Sequence, residues 1–285
     1  MLPNHQIAIY TQCVCIAKKC YHEQGQTVQI ITVINQKGGV GKTTTSTNLS
    51  YTLAKMGKRV LLVDADPQAN SSSIYIDTGD ELDNTIREIL VNKTTNVVDS
   101  IYPAMAEGAP IQNLDILPSN IYLARAAEQL MFKQRRERIL EKALNKIQEQ
   151  YDIILIDSQP SLSVLTVNTI QAANIILVPL NCSAFSLDGI RDLFEVIQEV
   201  KEDQSYQYFF LKNNFDKRET VLNTFADEQL SDYQQLMFNS VVRKSTYIGQ
   251  AQVARTPVEV YQSSAPVLQD YKDLALELLE YANQE

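Results

Sequence analysis

The feature that most constrains this chain is a three-part succession near its N-terminus. A β-branched run of strand length, VQIITVI at 28–34, leads into KGGVGKTT at 37–44, and a helical pattern then runs to Gly57. A polyphosphate needs many hydrogen-bond donors at close range. Gly38, Gly39 and Gly41 let the backbone approach it and turn successive amides inward around Val40, and the following helix adds its N-terminal dipole. In such a loop Lys42 reaches the β- and γ-phosphates, the Thr43 hydroxyl binds Mg²⁺, and Thr44 adds a phosphate contact. The standard pattern G-x4-G-K-[ST] is not met in full, because Gln36 stands where its first glycine belongs and Lys37 opens the loop. A glycine-rich turn of no special function would account for the glycines, but not for strand, loop and helix in register. The expected activity is ATP binding and hydrolysis.

Apolar runs of strand length recur along the chain, at 59–63, 114–119, 151–157, 174–180, 206–213 and 236–242. Helical stretches lie between them, at about 121–131, 133–150 and 186–200. The runs lack alternation, as parallel strands covered on both faces do. The expected fold is therefore α/β: a doubly wound, mostly parallel sheet flanked by helices. No internal repeat or linker is visible. The expected organisation is an extension at 1–27 and one P-loop ATPase domain at 28–285. Residues 74–113 are the least regular part and are expected to hold insertion helices.

Of 285 residues, 45% are hydrophobic and 21% charged, the balance of an ordinary soluble domain. No apolar run is long enough to span a bilayer, and the N-terminus lacks a secretory pattern, so a cytoplasmic location is expected. Net charge is −9, which argues against nucleic-acid binding by bulk charge. Charge is nonetheless uneven. Lys212, Lys217, Arg218, Arg243, Lys244 and Arg255 precede an acidic end in which Lys272 is the only basic residue after Glu259. Three of the four cysteines, Cys13, Cys15 and Cys20, crowd the extension, and Cys182 is the fourth. Their C-x-C-x4-C spacing lacks the paired C-x2-C of zinc sites, so free thiols are expected.

Asp64 and Asp66 follow the second strand in DADPQ, and Asp157 ends YDIILID. Carboxylates at the carboxyl ends of parallel strands sit where ligands bind in open α/β sheets. Either of the first two suits orientation of water or water-mediated hold on Mg²⁺, with turn formation before Pro67 as the plain alternative. Asp157 suits the Mg²⁺-linked aspartate of P-loop enzymes.

KGGVGKTT with Lys37, DADPQ, IDSQPSL at 156–162 and VPLNCSAFSLDGI at 178–190 together resemble the ParA/MinD group of deviant-Walker ATPases. They are most similar to ParA-type partition proteins. The resemblance runs from about residue 28 to the C-terminus. It implies that Lys37 crosses a nucleotide-sandwich homodimer to the partner subunit's ATP. It also implies that Lys42 and Thr43 hold phosphate and Mg²⁺, that Asp66 is linked to hydrolysis, and that Asp157 is the Walker B aspartate. Arg218 and Arg243, with Lys244, take the place of basic residues that bind DNA nonspecifically, and Asn213 is a candidate for the base pocket. The implied function is DNA partition by an ATPase that a centromere-binding ParB-like adaptor stimulates, with ATP and Mg²⁺ as cofactors. Where the family usually has two prolines after the Walker B aspartate, this chain has Gln159 and Pro160, a departure at the γ-phosphate switch. The extension is too short for the helix-turn-helix domain of larger plasmid members, so operator-specific repression is not expected.

Two other readings compete. A MinD-like membrane-positioning ATPase needs a C-terminal amphipathic helix with a basic polar face, whereas YKDLALELLEYANQE is mainly acidic and reads as a helix packed on the domain. No membrane partner is therefore expected. An iron-sulfur reductase relative needs cluster cysteines after the P-loop, and only Cys182 is available.

Overall fold

The structure is a computed structural model that describes residues 28–76, 82–92, 94–181, 187–202 and 204–283. Its elements run β1 (Gln29–Val33), α1 (Lys42–Lys55), β2 (Val60–Ala65), α2 (Ser72–Tyr75), α3 (Ile86–Val91), β3 (Tyr102–Ala106), β4 (Ala109–Leu117), α4 (Leu123–Leu130) and α5 (Ile139–Leu144). They continue β5 (Ile153–Ser158), α6 (Val164–Ala172), β6 (Ile175–Leu180), α7 (Leu187–Lys201), β7 (Gln207–Phe215), α8 (Thr220–Gln229), β8 (Met237–Arg243), α9 (Thr246–Val253), α10 (Val258–Tyr261) and α11 (Val267–Asn283).

Strands β2, β5 and β6 are buried along their whole length, as expected of apolar runs covered on both faces, and β2 and β5 carry Asp64 and Asp157 near their carboxyl ends. The strand order is β3-β4-β2-β5-β1-β6-β7-β8, and every pairing is parallel except β3 with β4. Because successive side chains on a strand point to opposite faces, each central strand feeds two cores. Ile31 and Val33 join Leu62, Leu155 and Leu211 under α1 and α11. Ile30 joins Leu61, Val63, Ile154 and Ile156 against α3, α4, α5 and α6. Further along the sheet, Ile176, Val178 and Phe210 pack on Ile190, Phe194 and Ile197 of α7. The doubly wound sheet expected from the sequence is present.

Two expectations of local structure need correction. The described residues of 74–113 hold one short α-helix, α3, a 3-10 turn at Val97–Ser100 and then the antiparallel hairpin β3–β4, which forms one edge of the sheet. Glu107 and Gly108 at its turn are both left-handed, with φ of 50° and 76°, a sense of turn that matches strand twist. The stretch 133–150 is not one helix. Arg135 is left-handed at φ 54°, and only α5 is α-helical there. Lys133 instead extends its ammonium to the carbonyls that end α3, Leu90 and Val91.

The opposite edge strand, β8, is closed by α11. Tyr271, Leu274 and Leu278 of α11 are buried in the core beneath α1. The Glu277 carboxylate accepts from the backbone amides of Asn239 (2.7 Å) and Ser240 (2.8 Å), which are groups an edge strand otherwise offers to another chain.

Candidate nucleotide site and the basic surface beside it

The parallel register puts Asp64 of β2 level with Asp157 of β5, and Asp157 level with Val33 of β1. The loop leaving β1 therefore passes directly over two carboxylates at the carboxyl end of the sheet. It is pinned on both sides. The Asn35 amide donates to the Pro179 carbonyl of β6 at 2.9 Å, while its carbonyl oxygen accepts from the Lys37 amide. From β7, buried Asn213 donates to the Val40 carbonyl at 2.7 Å. Gly39 and Gly41 are left-handed, with φ of 74° and 91°. The buried Gln36 side-chain nitrogen beside the loop has no hydrogen-bond partner among the described residues.

Lys42 begins α1 and is buried; its ammonium donates to the Lys37 carbonyl at 3.0 Å, beneath the loop. Burial lowers its pKa, and the charges of Asp157 and Asp66 oppose that shift. Asp157 has no exposed surface. It accepts from Ser71 (2.8 Å) and Ser46 (3.3 Å). Burial raises its pKa to about 6, against the pull of the Ser71 and Thr43 hydroxyls. Asp64 is equally buried, and burial plus the neighbouring Asp157 charge push it to about 7. Its oxygens accept from the Asp66 amide and from the Ser72 amide and hydroxyl. Asp64 thus shapes the loop that carries Asp66, and of the two readings the sequence left open for it, turn formation is the one observed. Asp66 faces the loop with one oxygen capping the Gln68 amide.

Lys42, Thr43, Asp66 and Asp157 thus lie together beneath the loop, while Lys37 is exposed and meets Lys42 through its backbone carbonyl. Among the described residues no three His, Cys, Asp or Glu side chains form a metal cage. The donor set suits Mg²⁺ all the same, since that ion keeps waters and takes a hydroxyl, a carboxylate through water and phosphate oxygens. Ser71 on Asp157 and Gln252 of α9, which donates to the Thr44 hydroxyl at 2.6 Å, went unread in the sequence. Neither belongs to a motif, because each is a contact between distant segments.

The chain matches a family model described as an AAA domain over residues 28–209. It is 33% identical to the sporulation initiation inhibitor protein Soj of Bacillus subtilis, covering 88% of this chain and 98% of Soj. It is 32% identical to the chromosome partitioning protein ParA of Myxococcus xanthus, covering 88% of each. The chain belongs to the ParA/Soj family of P-loop ATPases. A similar solved structure is cobyrinic acid a,c-diamide synthase from Mycobacterium smegmatis with a bound ATP analogue and magnesium. Its TM-score is 0.75 at 28% identity, covering 90% of this chain and 96% of that one.

Beside the loop, the carboxyl ends of β7 and β8 gather the basic residues that the ParA resemblance singled out. The Lys244 amide donates to the Phe215 carbonyl, tying the two ends together. Each cation has a carboxylate partner. Arg218 grips Asp216 through Nε (2.8 Å) and Nη2 (2.6 Å), and this holds the Asp216 carboxyl well below its usual range. Arg243 grips Asp270 of α11 with both Nε (2.7 Å) and Nη2 (2.6 Å). Lys244 lies 3.7 Å from Glu219. The Arg218 and Arg243 side chains remain 82% and 51% exposed, so both still face solvent. Cys13, Cys15, Cys20 and Cys182 lie outside the described residues.

Proposed function

We propose that this protein is a DNA-partition ATPase that takes Mg²⁺·ATP in the 37–44 loop. The observation that carries the reading is the pair of lysines on one loop: Lys42 buried beneath it and Lys37 exposed on its outer side. In this reading the amides of 38–41 and the Lys42 ammonium bind the phosphates. Thr43 and Asp157 would hold Mg²⁺ there. Asp66 orients the attacking water. Mg²⁺ supplies charge neutralisation at the β- and γ-phosphates. Lys37 reaches a second subunit, so the assembled ATP site belongs to a homodimer.

The dimer binds DNA through Arg218, Arg243 and Lys244. Contacts go to phosphate, so binding is independent of sequence and falls steeply with salt. Hydrolysis, slow alone and stimulated by a centromere-binding ParB-like partner, releases the DNA. Asn213 serves this site by fixing the loop backbone at Val40. Residues 28–285 act as one ATPase domain in a protein that works in the cytoplasm and, with ATP, on the nucleoid. A membrane-positioning role needs the apolar face of α11 to be available, and that face is buried beneath α1. Among the described residues no helix is long and apolar enough to cross a membrane.

The test is DNA retention on a filter with and without Mg²⁺·ATP. Wild type should retain DNA only with ATP. Arg243→Ala should lose retention while keeping nucleotide binding. Undiminished DNA binding by Arg243→Ala would refute the assignment of this surface.

A further inference from the structure

The contact between Gln252 and Thr44 joins segments 208 residues apart and has a direction. The Gln252 side-chain nitrogen can only donate, so the Thr44 oxygen accepts and the Thr44 proton must go elsewhere. In the first turn of a helix its default acceptor is the carbonyl four residues back. That carbonyl is Val40's, and it already receives the Asn213 amide at 2.7 Å. Thr44 is also nearly enclosed, at 8% exposure, which leaves few directions open. One turn further along α1, buried Asn48 accepts from the Val258 amide at 2.9 Å and donates to the Thr44 carbonyl at 2.9 Å. The segment 252–258 is thus bolted to α1 at two successive turns, immediately beside the phosphate loop.

We infer that Gln252 is a positioning residue of the nucleotide site: it fixes the Thr44 side chain so that its hydroxyl donates to a phosphate oxygen of the bound nucleotide. Asn213 and Gln252 act as a pair, one engaging a lone pair of the competing carbonyl and the other a lone pair of the hydroxyl. The inference rests on the ATP reading above. It adds that α9, which follows directly on Arg243 and Lys244, is tied to nucleotide occupancy through one side-chain amide.

The test is calorimetric titration with a slowly hydrolysed ATP analogue and Mg²⁺. Wild type, Gln252→Ala, Gln252→Glu, Thr44→Val and the double variant Thr44→Val/Gln252→Ala are compared. Gln252→Ala should bind about three- to tenfold more weakly, the range for losing a hydrogen bond that orients a donor to a charged group. Gln252→Glu should bind more weakly still, because a carboxylate takes the Thr44 proton and repels phosphate. In the Thr44→Val background Gln252→Ala should change nothing further. Each Gln252 variant should keep the wild-type binding stoichiometry and far-ultraviolet circular dichroism, so that a loss of affinity is not a loss of folded protein. Wild-type affinity in both Gln252 variants, or an equal loss with and without the Thr44 hydroxyl, overturns the inference while leaving the ATP reading intact. Absence of nucleotide binding by wild type overturns both.

Discussion

A methyl group on residue 41 would stand 2.1 Å from the Asn213 amide nitrogen, and the residue holds φ at 91°. Gly41→Ala therefore meets two penalties: backbone strain of about 1–2 kcal/mol and eviction of Asn213 from the Val40 carbonyl. We expect nucleotide affinity to fall more than tenfold, as measured by titration with an ATP analogue. The buried carboxylates give a second prediction. Burial raises the pKa of Asp157 to about 6 and that of Asp64 to about 7, so the folded chain holds protons that the unfolded chain has released. Stability without nucleotide should accordingly be lost as pH rises from about 4 to 7. Asp157→Asn removes one of these charges. At pH 7.5 the nucleotide-free variant should melt higher than wild type, while Mg²⁺-dependent turnover is lost. A lower melting midpoint at pH 7.5 would contradict the electrostatic account.

At the scale of elements, the ends of β7 and β8 present Arg218, Arg243 and Lys244, each against a carboxylate, and α11 contributes Asp270 to the arrangement. Asp270→Asn keeps an oxygen for the Arg243 amide while removing the charge that grips its guanidinium. If this surface meets DNA, the variant should bind severalfold more tightly in ATP, and its salt dependence should steepen by about one phosphate contact. DNA binding equal to wild type across a salt series would argue against Arg243 as a contact. Much of this scale was legible in the sequence. The parallel strands announced themselves as β-branched runs, and the loop at 37–44 announced both its conformation and its charge. Of the hairpin β3–β4 only the buried end of β4, read at 114–119, did; β3 and the first half of β4 are partly exposed and of mixed character. The partners of the basic residues were equally hidden. Asp216 is near Arg218 in sequence, yet Asp270 meets Arg243 only because α11 folds back on β8. Gln252 on Thr44 is the same case at the nucleotide site.

Across the whole molecule, one sheet carries the phosphate loop, the carboxylates and the basic surface at the carboxyl ends of its strands, and α11 closes the β8 edge. Leu278 is fully buried there, and Leu278→Ala should cost about 2–5 kcal/mol in chemical denaturation. Liposome sedimentation with ATP should recover no wild-type protein, since the face that a membrane would need is already packed. The central claim is that the loop is one half of a two-subunit ATP site, with Lys37 on its outer side as the link between subunits. Light scattering of the size-separated protein with a slowly hydrolysed ATP analogue and Mg²⁺ tests it most directly. Wild type should shift from monomer to dimer mass on adding nucleotide, and Lys37→Ala should stay monomeric while still binding it. A Lys37→Ala protein that dimerises like wild type would contradict the account.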